Sequence, residues 1–405
     1  MTNRQAAIKI VKQLHANGFE ALLAGGCVRD MLLRRPAKDY DVATNAQPRD
    51  VIKLFSRTLK VGAKFGVIIV LLNGKQVEVA TFRTEADYAD GRHPAKVSFT
   101  TASQDAARRD FTINGMFYDP IKKEVVDYVN GRADLKKKLL RTIGDPNERF
   151  SEDYLRMLRA VRFATQLGFK IEPETFTAIR ANADGLCRIS GERIAAELEA
   201  ILVNPCRRTG VALLSETGLI KMIFPALTPS QIRFTISVLA YLPVRVDFPL
   251  GLAALFADCQ TDSALQSIRV LKLSRNQTKH IKFLLNNRGK LLNDKMSLAE
   301  LKMTLAEPYF DDLYEFQKAI QKARGQTTKQ LKNLKKRIKS LGDQELRPKP
   351  LLNGHELIQL GAVPGPTLGQ LTRELYIAQL EGQLQSTVQA KQWAENWLQK
   401  HTNNI

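Results

Sequence analysis

Strand signals in this 405-residue chain stop at about residue 140, and helical periodicity fills the rest. That break confines any sheet to an N-terminal α/β part and commits the remainder to helix-on-helix packing. The clearest strand signal is Val67 to Leu72, then Asn73-Gly74, then Gln76 to Phe82. Two apolar runs around Asn-Gly predict a hairpin, because that dipeptide tolerates the positive φ angles of a tight turn. Phe19 to Ala24 reads as a strand entering a Gly25-Gly26 turn, Val28 to Leu33 as a short helix and Tyr40 to Ala43 as a strand. Pro48 to Phe55 predicts a helix with proline in its first turn, and residues 104–117 read as a further helix. Ser151 to Leu167 predicts one continuous helix, with Ser151 as N-cap, Glu152 and Asp153 in the first turn and Gly168 closing it. More helices are expected over 174–183, 190–203 and 206–217.

Charge narrows the function. Lys and Arg number 61 against 41 Asp and Glu, a net charge of +20. Such a surplus predicts a polyanionic partner, nucleic acid first and an anionic membrane surface second. Eleven Lys or Arg against two acids fall within residues 318–349. Lys329, Lys332, Lys335, Lys336, Arg337 and Lys339 form its densest part and are the expected RNA contacts; a solvated helix face is the plainer reading. With 44% hydrophobic residues the chain is no disordered tail. Cys27, Cys187, Cys206 and Cys259 lie far apart without a CxxC pair, which suits reduced thiols in a cytoplasmic protein. No run approaches the ~18 apolar residues of a membrane span, and no signal peptide is expected. Nothing in the pattern points to a protein partner.

The head carries the chemistry. Asp39-Tyr40-Asp41 sets two carboxylates at strand period, hence on one face. Two acids so close repel unless cations lie between them, and hard divalent ions, most simply Mg²⁺, want such oxygen ligands. Two solvated acids at a strand end are the alternative. Upstream, Gly25 and Gly26 let backbone N–H groups approach a phosphate, and Arg29 adds a charged fork. Downstream, Glu78 stands between Val77 and Val79. Either it joins the metal site as a third carboxylate or it faces water across an alternating strand.

The run GGCVRDMLL, then DYDVATNA, then a hairpin bearing VEVATFR resembles the nucleotidyltransferase superfamily related to DNA polymerase β, and within it the bacterial class II tRNA nucleotidyltransferases and poly(A) polymerases. Arg108 to Asn114 is similar to that family's RRDFTIN motif. Asp127 to Leu135 resembles its D-x-x-G-G-x-x-D-L turn, with Asn130 where the first glycine is usual. Glu152 to Phe163 resembles its E-D-x-x-R-x-x-R helix, and Glu192-Arg193-Ile194 the neighbouring E-R-I helix. The likeness spans residues 20–225 and is softer over 347–398, where LLNGHELIQLG and PGPTLG resemble the family's tail.

The resemblance implies an elongated multi-domain molecule: a polymerase-β-like catalytic head over 1–140, a helical neck for base recognition over 141–205, a helical body over 206–325 and a basic RNA-binding tail over 326–405. It implies metal ligation by Asp39 and Asp41 with Glu78 as the third carboxylate, and nucleotide contacts by Arg109, Asp110 and Asn114. On the neck helix, Asp153 and Arg156 stand at i,i+3 and are expected to act as one unit. An Asp accepting from an exocyclic amino group and an Arg donating to the adjacent ring nitrogen choose C and A over U and G without a template. Arg159 and Arg162 would reach the phosphates or ribose. Thr84 to Pro94 resembles the family's flexible loop. The expected activity is addition of CCA, or part of it, to tRNA 3′ ends from CTP and ATP; the rivals are a poly(A) polymerase and a non-catalytic RNA-binding protein on the same scaffold. No His-Asp dipeptide occurs, so the phosphohydrolase domain of some relatives is not expected.

Overall fold

The structure, a computed structural model, describes residues 1–88, 94–342 and 345–402. It divides into two compact units, Met1–Ile236 with Asp262–Ser274, and Ser237–Thr261 with Arg275–Ile405.

The first unit opens with α1 (Asn3–Ala16), β1 (Ala21–Ala24), α2 (Gly26–Leu32), β2 (Asp41–Thr44) and α3 (Pro48–Leu54). Strands β3 (Thr58–Gly62), β4 (Val67–Leu72) and β5 (Lys75–Thr81) follow, then a ribbon of β6 (Arg83–Tyr88) and β7 (Pro94–Phe99). After α4 (Ala102–Ala107), β8 (Phe117–Asp119) and β9 (Glu124–Val126) complete a seven-stranded sheet of order β3-β4-β5-β2-β1-β8-β9. The predicted hairpin forms as read. Asn73 and Gly74 take φ of 48° and 74°, and Val70 pairs with Val77. Leu22, Ala24, Ala43, Phe82 and Phe117 bury one face of the sheet against α4, with Phe82 and Phe117 edge to face at 6.0 Å.

Helices α5 (Gly131–Lys137), α6 (Pro146–Glu152), α7 (Leu155–Leu167), α8 (Pro173–Ala181) and α9 (Gly191–Leu202) follow, with more helices beyond them. Asp127 ties the turn before α5 by accepting from the N–H groups of Val129, Gly131 and Arg132. Asn130 sits there at φ 60°, a left-handed position that Asn tolerates better than most residues, so the missing glycine leaves the turn intact.

Two helix expectations fail. Only Ala102–Ala107 is helical within the stretch expected around 104–117. Asp105 draws Arg108 and Arg109 back onto itself, and the chain then turns through Asp110 into a single 3-10 turn over Thr112–Asn114. Nor is Ser151 to Leu167 one helix. Asp145 accepts from the N–H groups of Asn147 and Glu148, and Pro146 occupies the first helical position, so α6 starts earlier than Ser151 and ends at Glu152. Asp153 is extended, at φ −150° and ψ 102°, before α7 begins. Gly168 closes α7 in the left-handed conformation as expected.

The second unit is wholly helical among the described residues. Helix Lys329–Ser340 turns Leu331 and Leu334 inward and leaves Lys329, Lys332, Lys335, Lys336 and Lys339 exposed, with Arg337 half-buried. Further along, Leu357, Leu371, Leu375 and Trp397 share a core.

His280 is buried between two acids in this unit, its Nδ1 3.4 Å from Asp247 and its Nε2 3.1 Å from Asp312. One carboxylate beside each ring nitrogen favours the form in which both nitrogens carry protons, although Nε2 is not aligned for a hydrogen bond. Burial disfavours that charge, but the two carboxylates outweigh it and raise the His280 pKa from 6.5 to about 9. A raised histidine contributes its full stabilisation below its unfolded pKa and loses it as pH rises through the folded value. The free energy of unfolding is therefore expected to fall as pH rises from 6.5 to about 9, by at most about 3 kcal/mol, with the unfolding midpoint falling alongside. In His280→Gln that slope flattens; an unchanged slope assigns the pH dependence to other groups.

Candidate active site

A cavity of about 500 Å³ opens between the sheet and α7, wholly within the first unit. Its walls bring together Gly25, Gly26, Arg29, Asp41, Glu78, Arg109, Asp110, Asn114, Asp153, Arg156 and Arg159, residues drawn from five separate stretches of sequence.

The carboxylate wall follows from strand register. β2 and β5 run parallel with Val42 opposite Val79, which sets Asp41 beside Glu78. Glu78 is exposed on an alternating strand whose Val77 and Val79 are buried, so no burial penalty explains it. Asp39 precedes β2, is exposed and is not on the wall, yet its charge reaches Asp41. Asp41 is exposed at the start of β2, yet neighbouring protein still desolvates its carboxyl and pushes it up from 3.8 to about 6, with Glu78 next, Arg109 opposing and Asp39 adding. Crowded hard oxygen donors whose mutual repulsion Arg109 only partly offsets fit a divalent cation.

Gly25 makes the cationic wall possible. It takes φ 72°, and a Cβ there would stand 3.0 Å from the Arg109 guanidinium. Arg109 is held by Asp105 at 2.9 Å and lies 4.9 Å from the Phe117 ring centroid. From there a chain of hydrogen bonds crosses the cavity floor. Arg29 donates to Asn114 Oδ1 at 2.7 Å, Asn114 donates to Asp110 Oδ1 at 3.1 Å, and Arg159 donates to Asp110 Oδ2 through Nη2 at 2.6 Å and Nε at 3.0 Å. Burial works against the Asp110 charge, but Arg159 outweighs it and holds the carboxyl below its ordinary range.

Asp153 and Arg156 both reach the cavity, though not as a helical i,i+3 pair. Asp153 accepts from the Leu155 N–H and from Arg193 Nη2 at 2.7 Å. Arg156 instead pairs with Glu152, which Arg149 grips at 2.8 Å. Arg162 is not on the wall; its guanidinium lies 4.4 Å from the Phe163 ring centroid and 3.2 Å from Glu197. The loop expected over Thr84 to Pro94 lies partly outside the described residues; Thr84 to Tyr88 continue β6 and Pro94 opens β7.

Sequence reasoning missed Arg83, Arg108 and Phe163 on the wall, and Glu152, Arg193 and Glu197 behind it. One signal was available for Glu197: it occupies the apolar stripe of α9 set by Ile194, Leu198 and Ile201.

Residues 21–141 match the family described as the poly A polymerase head domain, and residues 168–231 that described as a probable RNA and SrmB-binding site of polymerase A. A CCA-adding enzyme of Geobacillus stearothermophilus is 44% identical over 216 residues, 53% of each chain, so that match spans about half the relative's length. A CCA-adding enzyme of Streptococcus gordonii is 34% identical over 397 residues, 95% of each chain. Among solved structures, the Bacillus stearothermophilus CCA-adding enzyme in complex with CTP covers the whole of both chains at 29% identity with a TM-score of 0.82. The Thermotoga maritima CCA-adding enzyme complexed with tRNA, 21% identical over 97% of this chain and 95% of its own, shares the fold with a TM-score of 0.69.

Proposed function

This chain belongs to the CCA-adding enzymes, a family of tRNA nucleotidyltransferases, and from that premise we propose that it adds CCA, or part of it, to tRNA 3′ ends from CTP and ATP, releasing pyrophosphate. The observation that carries the reading is one cavity holding acids suited to a metal, a cationic wall suited to a triphosphate and an Asp–Arg set suited to a base edge.

In this reading Asp39 and Asp41 bind divalent cation, taken as Mg²⁺, with Glu78 as the third carboxylate. The donors are hard oxygens, as that ion requires. When bound, the metal supplies activation of the RNA 3′-hydroxyl and charge neutralisation on the phosphates. The chain's own residues orient the substrates. Gly25 and Gly26 admit the phosphates to the backbone, Arg29, Arg109 and Arg159 face the triphosphate and ribose with Arg162 behind them, and Asp110 and Asn114 hold those arginines in place. Asp153 accepts from the amino group of C or A while Arg156 donates to the ring nitrogen. Residues 1–140 then form the catalytic head, 141–205 the base-reading neck, 206–325 the body and 326–405 the RNA-binding tail. The cytoplasm, where tRNA matures, is the compartment that fits.

Three tRNA transcripts, lacking CCA, CA or only the final A, offered with CTP and ATP singly and together, test the activity. Stopping after one complete CCA is the expected result. A long A-tract on an unrelated RNA would instead make the protein a poly(A) polymerase, and no metal-dependent incorporation would leave only RNA binding.

The tail gives a separate expectation. Replacing Lys332, Lys336 and Lys339 by Gln removes three exposed cations from one helix. The slope of log affinity for tRNA against log salt is expected to fall by about 2 to 3, while the nucleotide KM stays within ~2-fold. An unchanged slope would make this face merely solvated.

A further inference from the structure

Behind the arginine wall lies a charge that the proposed chemistry does not use. Glu197 is 5% exposed on the apolar stripe of α9. Its Oε2 stands 3.2 Å from Arg162 Nε, and its Oε1 stands 3.9 Å from Arg159. Neither Glu197 Oε2 nor Arg162 Nε finds an aligned hydrogen-bond partner. A buried ion pair with incomplete hydrogen bonding is weak support for a fold, and an apolar pair would pack there at less cost. Arg162 Nη1 still donates to Glu197 Oε1 at 3.3 Å, so the pair is oriented even though it is weak support for the fold.

The neighbours suggest what the pair does. Three guanidiniums share the Phe163 ring, Arg162 at 4.4 Å from its centroid and Arg29 and Arg159 at 5.3 Å each. Arg29 is held by Asn114 and Arg159 by Asp110. Arg162 feels the Asp110 charge as well as that of Glu197. Without Glu197 two arginines would compete for the one carboxylate that directs Arg159 at the cavity. We propose that Glu197 is a positioning residue for nucleotide binding: by neutralising Arg162 it reserves Asp110 for Arg159. This rests on the reading of Arg159 as a nucleotide contact. Removing Arg162 alone is equally disruptive in this scheme, because the orphaned Glu197 then draws Arg159 away from Asp110.

The test measures KM and kcat for CTP and ATP, with saturating tRNA, in E197Q, R162M, the E197Q/R162M double variant and R159Q. Each single charge removal at 197 or 162 is expected to raise both nucleotide KM values ~10-fold, about 1.4 kcal/mol, with kcat within ~3-fold. The double variant is expected to return KM to within ~3-fold of wild type, since neither charge remains to disturb the Asp110–Arg159 pair. A purely structural defect would also be relieved by the second substitution, but it would lower the active fraction and so the apparent kcat, not raise both nucleotide KM values, so the KM-against-kcat split decides. The inference fails if E197Q leaves KM unchanged, or if the double variant is no better than R162M alone, which would make Arg162 a direct nucleotide contact. If E197Q does not fold, R162M against the double variant decides the same point. R159Q without effect on KM overturns the reading of Arg159 itself.

Discussion

Asp41→Asn is expected to lower nucleotide incorporation by at least about 10³-fold, roughly 4 kcal/mol of barrier, while tRNA affinity stays within ~2-fold. The size follows from placement. Asp41 opens β2 on the cavity wall beside Glu78, with Asp39 close enough to act on its charge. Asn keeps the shape of the side chain and removes one of three crowded negative charges, so the substitution attacks charge and not packing. In the metal-free protein the fold should hold or gain stability, because like charges are separated. The activity loss and the retained midpoint together distinguish a missing metal ligand from a damaged sheet. Asp39→Asn is expected to follow Asp41→Asn, since both are read as metal ligands and the Asp39 charge already acts on Asp41, and Glu78→Gln to give a loss of the same kind as the third carboxylate. Full activity in Asp41→Asn would remove the metal site from this wall.

How far the sequence disclosed this site depends on the range of the interaction. The hairpin that carries Glu78 was legible because Asn73-Gly74 and the flanking apolar runs are local signals. The parallel register that sets Glu78 beside Asp41 was not, because it pairs strands far apart in the chain. Ser151 was read as a cap because Glu and Asp follow it, yet Asp145-Pro146 is the stronger start signal and lies only six positions earlier. The helix that begins there leaves Asp153 at a break, and only that break lets the carboxylate reach Arg193, 40 positions on. Family resemblance singled out Asp153 and Arg156 for base recognition; the fold places both on the cavity wall and adds the partners that hold them, Arg193 and Glu152.

Those partners shape the second large effect, expected for Asp153→Asn. The wild-type carboxylate can only accept, and its two oxygens are already oriented by the Leu155 N–H at 3.0 Å and by Arg193 at 2.7 Å. Fixed in that way it would, in the proposed reading, offer an acceptor to the amino group of C or A and reject the carbonyl of U or G. An asparagine amide can present either a donor or an acceptor, and it loses the charge that draws Arg193. One well-made edge contact discriminates by about 1–3 kcal/mol, so the ratio of kcat/KM for CTP over UTP is expected to fall ~10- to 100-fold. The CTP-to-ATP ratio should move far less, because both bases present the same donor–acceptor edge. Arg193→Gln is expected to give the same loss in milder form, acting on orientation alone. Glu152 plays the matching part for Arg156, and Glu152→Gln should erode selectivity from the other side of the pair. If Asp153→Asn kept its full preference for CTP over UTP, base choice would have to be made by the tRNA end or by β6 and β7 rather than by the break between α6 and α7.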